Sequence, residues 1–476
     1  MPADEAGGLI ESDGWGDGWG DGWGLGSLDD VGAQEGAAIG DHSAGAAALS
    51  LEPLKPILAQ ALGAARVVIT HADALPGGSL HQHIAFDIRA DGGRYPGDSA
   101  WVLRLPASDG RAPSGHGPGL ERAVMKAVRS AGLPVPEVLC ADDRVDALGH
   151  PFLVMRRAHG QTDSRAVTAL CDAAGDALAE RVGAQMARLH RITPDQVDIA
   201  GLKAPVDPDP ARRRIGDLRA ALDPLGGSYP ALDWGLSWLA DHCPDRAPYV
   251  LTHRDWRTGN LMLREGALEQ ILDWEFADWS DGYEDIGWLS APCWCFTRRD
   301  RPLGGFGAWG AFAQGYWAQS GEGLDPARLH FWQVLALVRW AIIALRQGQR
   351  FRPSQGASLE FGLTAWRLPE LCWEILQRTP PDGDVGQRSA TAHAGMFEGL
   401  PAPADLRRAA LLRMQGDARD GLARNALGLA DRARRENGAL LGAFEGTGND
   451  LHAALVAQTR AWLAISNPRY LADLER

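Results

Sequence analysis

The sequence predicts an α+β protein in two lobes, a small strand-rich one followed by a larger, mainly helical one. A small all-α unit follows them and a disordered tail precedes them. Three observations carry this. Short apolar runs with strand character cluster between residues 67 and 155, and helix-period apolar stripes dominate from residue 173 onward. The first 48 residues lack the side chains needed to build a core.

The chain has 476 residues, too many for one compact core. It divides into a tail (1–48), a first lobe (49–157), a second lobe (158–378), a linker (379–403) and a helical accessory unit (404–476). Apolar content of 45% and charged content of 23% are those of a soluble globular protein. The formal net charge is −14, but ten acidic residues lie between Asp4 and Asp41, where no Lys or Arg occurs. The remainder is close to neutral, so the acidic total is no argument for a cationic ligand. No dense basic patch is present, which argues against a nucleic-acid partner. The six Cys (140, 171, 243, 293, 295 and 372) form no CxxC pair and read as reduced thiols of a cytoplasmic protein. No basic segment followed by an apolar stretch marks a leader. The most apolar long segment, Val334–Leu345, is short and broken by Arg339, so no membrane span is expected.

Within the tail, Gly14–Gly24 reads GWGDGWGDGWG, with Gly at every second position, which no helix tolerates. Its three Trp are the one feature that would suit a docking segment. Leu51–Leu62 has a helical pattern. Strand-like runs follow at 67–70, Ile84–Ile88 and Trp101–Leu105, with a turn at Pro76-Gly77-Gly78-Ser79 between the first two. Pro106–Gly119 reads as a loop and Glu121–Ala131 as a helix; Val138-Leu139 and Phe152–Met155 supply two more strands. In the second lobe, Ala173–His190 carries Leu178, Val182, Met186 and Leu189 on one helix face. Phe331–Leu345 forms a second broad stripe. The stretch from Thr379 to Pro403 is Pro-, Gly- and Asp-rich, a linker composition. Gly421–Glu436 and Asn449–Ile465 are the helices expected beyond it.

The chemistry is concentrated in Leu251–Leu289. Asp255 and Asn260 lie five residues apart on a segment that Thr258-Gly259 keeps from being a helix. Two strands, Leu261–Leu263 and Leu268–Leu272, are joined by the turn-like Arg264-Glu265-Gly266, and Asp273 ends the hairpin. A hairpin brings its ends together, so Asn260 and Asp273 can share one ion with Asp255 just outside. Phosphoryl transfer needs that set: oxygen ligands for magnesium against the ATP phosphates, and a carboxylate that takes the proton of the attacking hydroxyl. His253-Arg254-Asp255, Asn260 and Asp273 reproduce the order and spacing of a protein-kinase catalytic loop and metal-binding Asp.

Here the chain resembles the aminoglycoside phosphotransferase and choline kinase-like family, over roughly residues 50–378. That family's loop usually reads His-Gly-Asp, so Arg254 is a departure; its metal Asp is often followed by Trp-Glu, as in Asp273-Trp274-Glu275. Gly282–Leu289 is similar to its downstream Asp-Leu-Gly-Trp element. Trp101–Arg104 and Gly149–Met155 resemble the subgroup associated with acyl-CoA dehydrogenases. The ending Ala464–Tyr470 is similar to a small helical domain that accompanies these enzymes.

The resemblance implies a two-lobed protein-kinase-like fold, with ATP and Mg²⁺ as cofactors. It implies that Gly77, Gly78 and Ser79 cover the phosphates through backbone N–H groups. Arg104 would stand where most kinases carry the phosphate-contacting Lys, paired with Glu121, and backbone groups near Met155 would face adenine. Asp255 would be the catalytic base, Asn260 and Asp273 the metal ligands, and His253 and Asp285 the scaffold of the loop. The expected acceptor is the hydroxyl of a small molecule: a hydroxyacyl compound or its CoA thioester, or alternatively an aminoglycoside-type antibiotic that Asp278, Asp281 and Glu284 could bind as a cation. An acyl-CoA dehydrogenase-type enzyme is the implied partner. The alternative function is a nucleotide-binding regulator without turnover. Arg104 and the added terminal segments motivate it, and the complete Asp255, Asn260 and Asp273 argue against it.

Overall fold

The computed structural model describes residues 50–381, apart from 76–80, 107–114, 227–228, 296–297, 351–363 and 366, together with scattered positions between 452 and 463. Gly77, Gly78, Ser79, the tail, the helix expected at Gly421–Glu436 and all but the first residues of the linker therefore lie outside the described residues.

The first lobe is a five-stranded antiparallel sheet of β1 (Arg66–Leu75), β2 (His81–Asp91), β3 (Gly97–Pro106), β4 (Val138–Asp142) and β5 (Phe152–Arg156). The strand order is β1-β2-β3-β5-β4. Helix α1 (Leu54–Leu62) buries Leu54, Leu58 and Leu62 at a four-residue spacing and ends at Gly63, whose φ of 66° is the left-handed C-terminal stop that glycine adopts without strain. Leu54, Leu58, Phe86, Ile88, Trp101, Leu103, Phe152 and Val154 belong to this lobe's own core. Helix α2 (Pro118–Ser130) starts three residues earlier than the apolar pattern predicted, because Pro118 at its first turn costs no hydrogen bond.

The second lobe contains α3 (Ser164–Thr168), α4 (Asp172–Leu189), α5 (Pro210–Leu222), α6 (Pro230–Asp241), α7 (Tyr283–Leu289), α8 (Trp309–Ser320), α9 (Pro326–Arg350) and α10 (Leu368–Arg378). It also holds two small antiparallel pairs, β6 (Val250–Thr252) with β9 (Asp278–Ser280) and β7 (Leu261–Arg264) with β8 (Ala267–Ile271). Helix α9 is long and apolar enough to cross a membrane by length and composition, yet 67% of its most apolar window is buried within the protein. It packs against α6, α7 and α10, where Phe331, Val334, Leu335, Val338, Ile342 and Leu345 share a core with Leu371 and Ile375. The described positions between 452 and 463 are helical and lean on the same core: Leu455 is buried in it, and His452 Nε2 meets the Leu376 carbonyl oxygen at 2.8 Å.

Helices α4 and α8 approach closely because both carry glycines where they meet. A Cβ on Gly183 would lie 2.3 Å from Phe312 O, and one on Gly315 would lie 1.9 Å from Glu180 O. Alanine at 315 gains helix propensity of ~1 kcal/mol, but it meets backbone that cannot yield cheaply. Gly315→Ala is therefore expected to destabilise the fold by about 2 kcal/mol net, read from the urea midpoint. A neutral or stabilising result would mean that the two helices stand farther apart.

Candidate active site

The catalytic hairpin closes on Glu265-Gly266, with φ of 54° and 80°, the paired positive values of a two-residue type I′ turn. Leu272 lies one residue past β8, and its N–H donates to Asn260 O at 2.9 Å. That bond seats Asn260 next to the residue preceding Asp273. The segment Thr258–Asn260, read from sequence as a loop, forms a single 3₁₀ turn, which Thr258-Gly259 permits although it forbids a longer helix.

Asp255 is held from both sides. Its Oδ1 accepts from Trp288 Nε1 at 3.0 Å, and its Oδ2 accepts from Asn260 Nδ2 at 2.8 Å and Arg257 Nε at 3.3 Å. Asn260 Nδ2 also donates to Asp255 O at 2.8 Å, which fixes the amide orientation and turns its Oδ1 away from Asp255.

The loop itself hangs from Asp285, fully buried in α7, whose carboxylate accepts the N–H groups of His253 at 2.8 Å and Arg254 at 2.7 Å. His190, the residue that caps the C-terminal end of α4, contacts the same carboxylate at 3.3 Å. His253 accepts from Asp255 N–H at Nδ1 (3.2 Å) and donates from Nε2 to Leu272 O (2.8 Å), which selects the neutral Nε2–H tautomer and excludes it as the base.

Arg254 adopts a φ of 63°. This left-handed position is where glycine costs least, and it gives a physical reason for the Gly usual there in the resembling family. The arginine side chain compensates by pairing with Glu284 at 2.8 Å. Burial opposes the charge of Glu284, but Arg214, Arg254 and Arg339 together hold its carboxyl well below the usual range. Arg339, the charge that interrupts the apolar stripe of α9, donates to Arg254 O and lies 4.3 Å from the Trp288 ring centroid. Burial, helped by Arg254, lowers its pKa to about 10 against the pull of Glu284 and Asp255, so it remains charged at neutral pH.

On the first-lobe side, Arg104 of β3 and Glu121 of α2 form a buried ion pair, and Arg104 Nη1 lies 3.8 Å from Asp273 Oδ1. Arg104 is 3% exposed, and its Nη1 has no hydrogen-bond partner, an orphan donor on the side of the Asp273 carboxylate. Burial pushes Glu121 up to about 7 against the attraction of Arg104, with Glu275 and Asp273 adding to the rise. Asp273 has a φ of 60°, and desolvation opposes its charge. Arg104, then His83, Arg257 and His81, outweigh that cost and keep its pKa low. An ionised carboxylate is the form a divalent cation requires. Met155 sits in β5 opposite Val102 and Val138, flanked by β3 and β4. The next backbone N–H groups, of Arg156 and Arg157, donate to Glu137 and Ala100, so the backbone immediately after Met155 serves the sheet.

Several site groups escaped the sequence reading. His81 Nε2 meets Glu275 Oε2 at 2.8 Å, and His116 N–H donates to Glu275 O at 2.8 Å, so the first lobe grips the turn that follows Asp273. His81 and His83 lie two apart on one strand and share a face, which the alternation His-Gln-His encodes; His83 pairs in register with Arg104. Trp288, buried in the second lobe's core, is a donor to Asp255.

Burial lowers the pKa of His83 to about 4, with Arg104 and His81 adding to the effect and Asp273 opposing it. The unfolded chain therefore binds a proton that the folded one refuses. Stability from this group is complete above about pH 6.5 and is lost as pH falls towards 4. Wild type should lose on the order of 3 kcal/mol across that window, and His83→Gln should flatten that part of a urea-midpoint-against-pH curve.

The APH phosphotransferase enzyme family matches residues 88–332, just over half of the chain, and this span contains the whole catalytic loop and hairpin. The chain belongs to this family. The chain is 28% identical over 198 residues to acyl-CoA dehydrogenase family member 10 of Mus musculus, covering 40% of this chain and 18% of that protein. It is 27% identical to acyl-CoA dehydrogenase family member 11 of Gallus gallus, covering 41% and 25% respectively. The match thus spans no more than a quarter of these relatives' lengths. In fold it is similar to a solved structure from Ralstonia eutropha assigned as an aminoglycoside phosphotransferase: TM-score 0.54, 18% identity, 69% of this chain and 98% of that one. The two-lobed kinase-like architecture expected from sequence is therefore the one found.

Proposed function

We propose that this chain is an ATP- and magnesium-dependent phosphotransferase that moves the γ-phosphoryl group of ATP to a hydroxyl of a small molecule. The observation that carries the reading is Asp255, fixed by Trp288 and Asn260, beside a hairpin end where Asn260 adjoins Leu272-Asp273. Asn260 Oδ1 and the ionised Asp273 would hold the magnesium. Both are hard oxygen donors, and a two-ligand set leaves coordination positions for phosphate oxygens and water. Bound magnesium would neutralise charge on the phosphates. Asp255 accepts the hydroxyl proton as the acceptor oxygen attacks phosphorus and the bond to ADP breaks. Arg104, with its orphan Nη1, serves the α- and β-phosphates, and its planar fork replaces the point charge of a lysine. Adenine would lie against the backbone near Met155.

The acceptor we favour is a hydroxyacyl compound, free or as a CoA thioester. The names of the relatives support it, and so does the fate of three acidic residues that might have bound a cationic antibiotic. Asp278 is 2.8 Å from Arg213, Asp281 is 2.6 Å from Arg328, and Glu284 is 2.8 Å from both Arg214 and Arg254. Those carboxylates are already paired with arginines. An acyl-CoA dehydrogenase-type partner belongs to the same reading. The test is ADP formation from magnesium–ATP across hydroxyacyl-CoAs, free hydroxy acids, choline-like alcohols and aminoglycosides. Hydroxyacyl-dependent turnover supports the reading, and turnover on an aminoglycoside alone overturns the acceptor class. Tight nucleotide binding with silence across the panel favours the regulator.

A further inference from the structure

Resting on that reading, we infer that Trp294 is a specificity-determining residue: its indole N–H donates to the acyl oxygen of an acceptor whose hydroxyl lies at Asp255. Trp294 ends a 3₁₀ turn (Pro292–Trp294) that follows α7, and it is 3% exposed. Its Nε1 is buried and has no hydrogen-bond partner among the described residues. An indole N–H can only donate, and a buried donor left unpaired is costly, so its presence calls for an acceptor atom. The position of this donor ties it to the reaction. Trp288, Trp294 and Trp340 form a tilted trio, with ring centroids 5.4 Å (288 to 294), 5.9 Å (288 to 340) and 5.1 Å (294 to 340) apart. Trp288 donates its own N–H to Asp255 Oδ1 at 3.0 Å. The orphan donor thus belongs to the ring packed against the one that holds the proton acceptor.

Charge around the trio decides the class of acceptor. Arg339 Cζ stands 4.3 Å from the Trp288 ring centroid, and Arg257 Cζ stands 5.8 Å from that of Trp294. Two cations already lie against these rings. A quaternary ammonium group, a common guest of aromatic boxes, would meet like charge there, as would the amines of an aminoglycoside. An oxygen that carries partial or full negative charge meets a hydrogen-bond donor and two guanidinium groups instead. The acceptor that fits has a hydroxyl for Asp255, a short apolar chain to lie along the indoles, and a carbonyl oxygen for Trp294. That description is a hydroxyacyl compound, reached from this chain's own residues and independently of the names of its relatives.

The test uses the full-length chain with magnesium–ATP and two matched series of acceptors. One is a homologous series of hydroxyacyl pantetheine thioesters; the other is the corresponding thioethers, in which a methylene replaces the carbonyl. At the best chain length, wild type should prefer the thioester by ~10–10²-fold in kcat/KM, because the thioether leaves the donor unpaired. Trp294→Phe keeps an aromatic ring and removes the N–H, and it should reduce that preference to within about threefold. A purely structural role would lower both rates and leave their ratio unchanged. If the phenylalanine variant folds poorly, benzothienylalanine at position 294 keeps the bicyclic shape without the donor and should show the same loss of preference. Full preference retained in the folded variants would overturn the inference, as would equal turnover of thioester and thioether by wild type. Wild type that forms ADP with neither series would overturn the hydroxyacyl reading beneath it as well, so the two failures are distinct.

Discussion

Asp255→Ala is expected to lower phosphoryl transfer by ~10²–10⁴, the range for a positioned proton acceptor, while magnesium–ATP affinity stays close to wild type. The separation follows from the geometry. Asp255 hydrogen-bonds Trp288, Asn260 and Arg257, whereas the proposed metal ligands are Asn260 Oδ1 and Asp273. Loss of the carboxylate leaves Asn260 its second bond, from Nδ2 to the backbone carbonyl of residue 255, so the amide keeps its orientation. The check is a pair of measurements on one preparation: single-turnover transfer and equilibrium nucleotide binding. A fall in both by the same factor would mean that Asp255 is part of the nucleotide site instead.

Asp273→Asn is the second large effect and has a different signature. Asparagine tolerates the left-handed backbone at this position, where φ is 60°, so the fold is expected to survive. The substitution removes the charge that faces Arg104 at 3.8 Å and would hold the metal. Metal-assisted charge stabilisation is worth several kcal/mol, so transfer should fall by ~10³ or more. Magnesium should then no longer strengthen nucleotide binding. Retained magnesium dependence in a folded Asp273→Asn protein would assign the metal to other residues.

The catalytic loop and hairpin were legible in sequence because their determinants are local. Asp255, Asn260, Gly266 and Asp273 lie within 19 consecutive residues, and the turn chemistry sets how they meet. The Arg104–Glu121 pair needed the resemblance, since a strand Arg and a first-turn helix Glu also occur as ordinary surface residues. Contacts distant in sequence were not legible: His81 and Glu275 are 194 positions apart, and no local pattern links them. Arg339 looked like an interruption in an apolar stripe, yet the part-buried carbonyl of Arg254 accepts from that charge. The pair β6–β9 escaped because three-residue strands carry too little alternation to read. Arg254 was seen as a departure from glycine, but only its backbone angle explains why glycine is usual there.

The most direct test of the central claim is a crystal structure of the full chain with magnesium and AMP-PNP. The account predicts magnesium on Asn260 Oδ1 and Asp273, Arg104 against the α- and β-phosphates, and the γ-phosphate facing Asp255. A nucleotide bound elsewhere, or a metal held without Asn260 and Asp273, would contradict it.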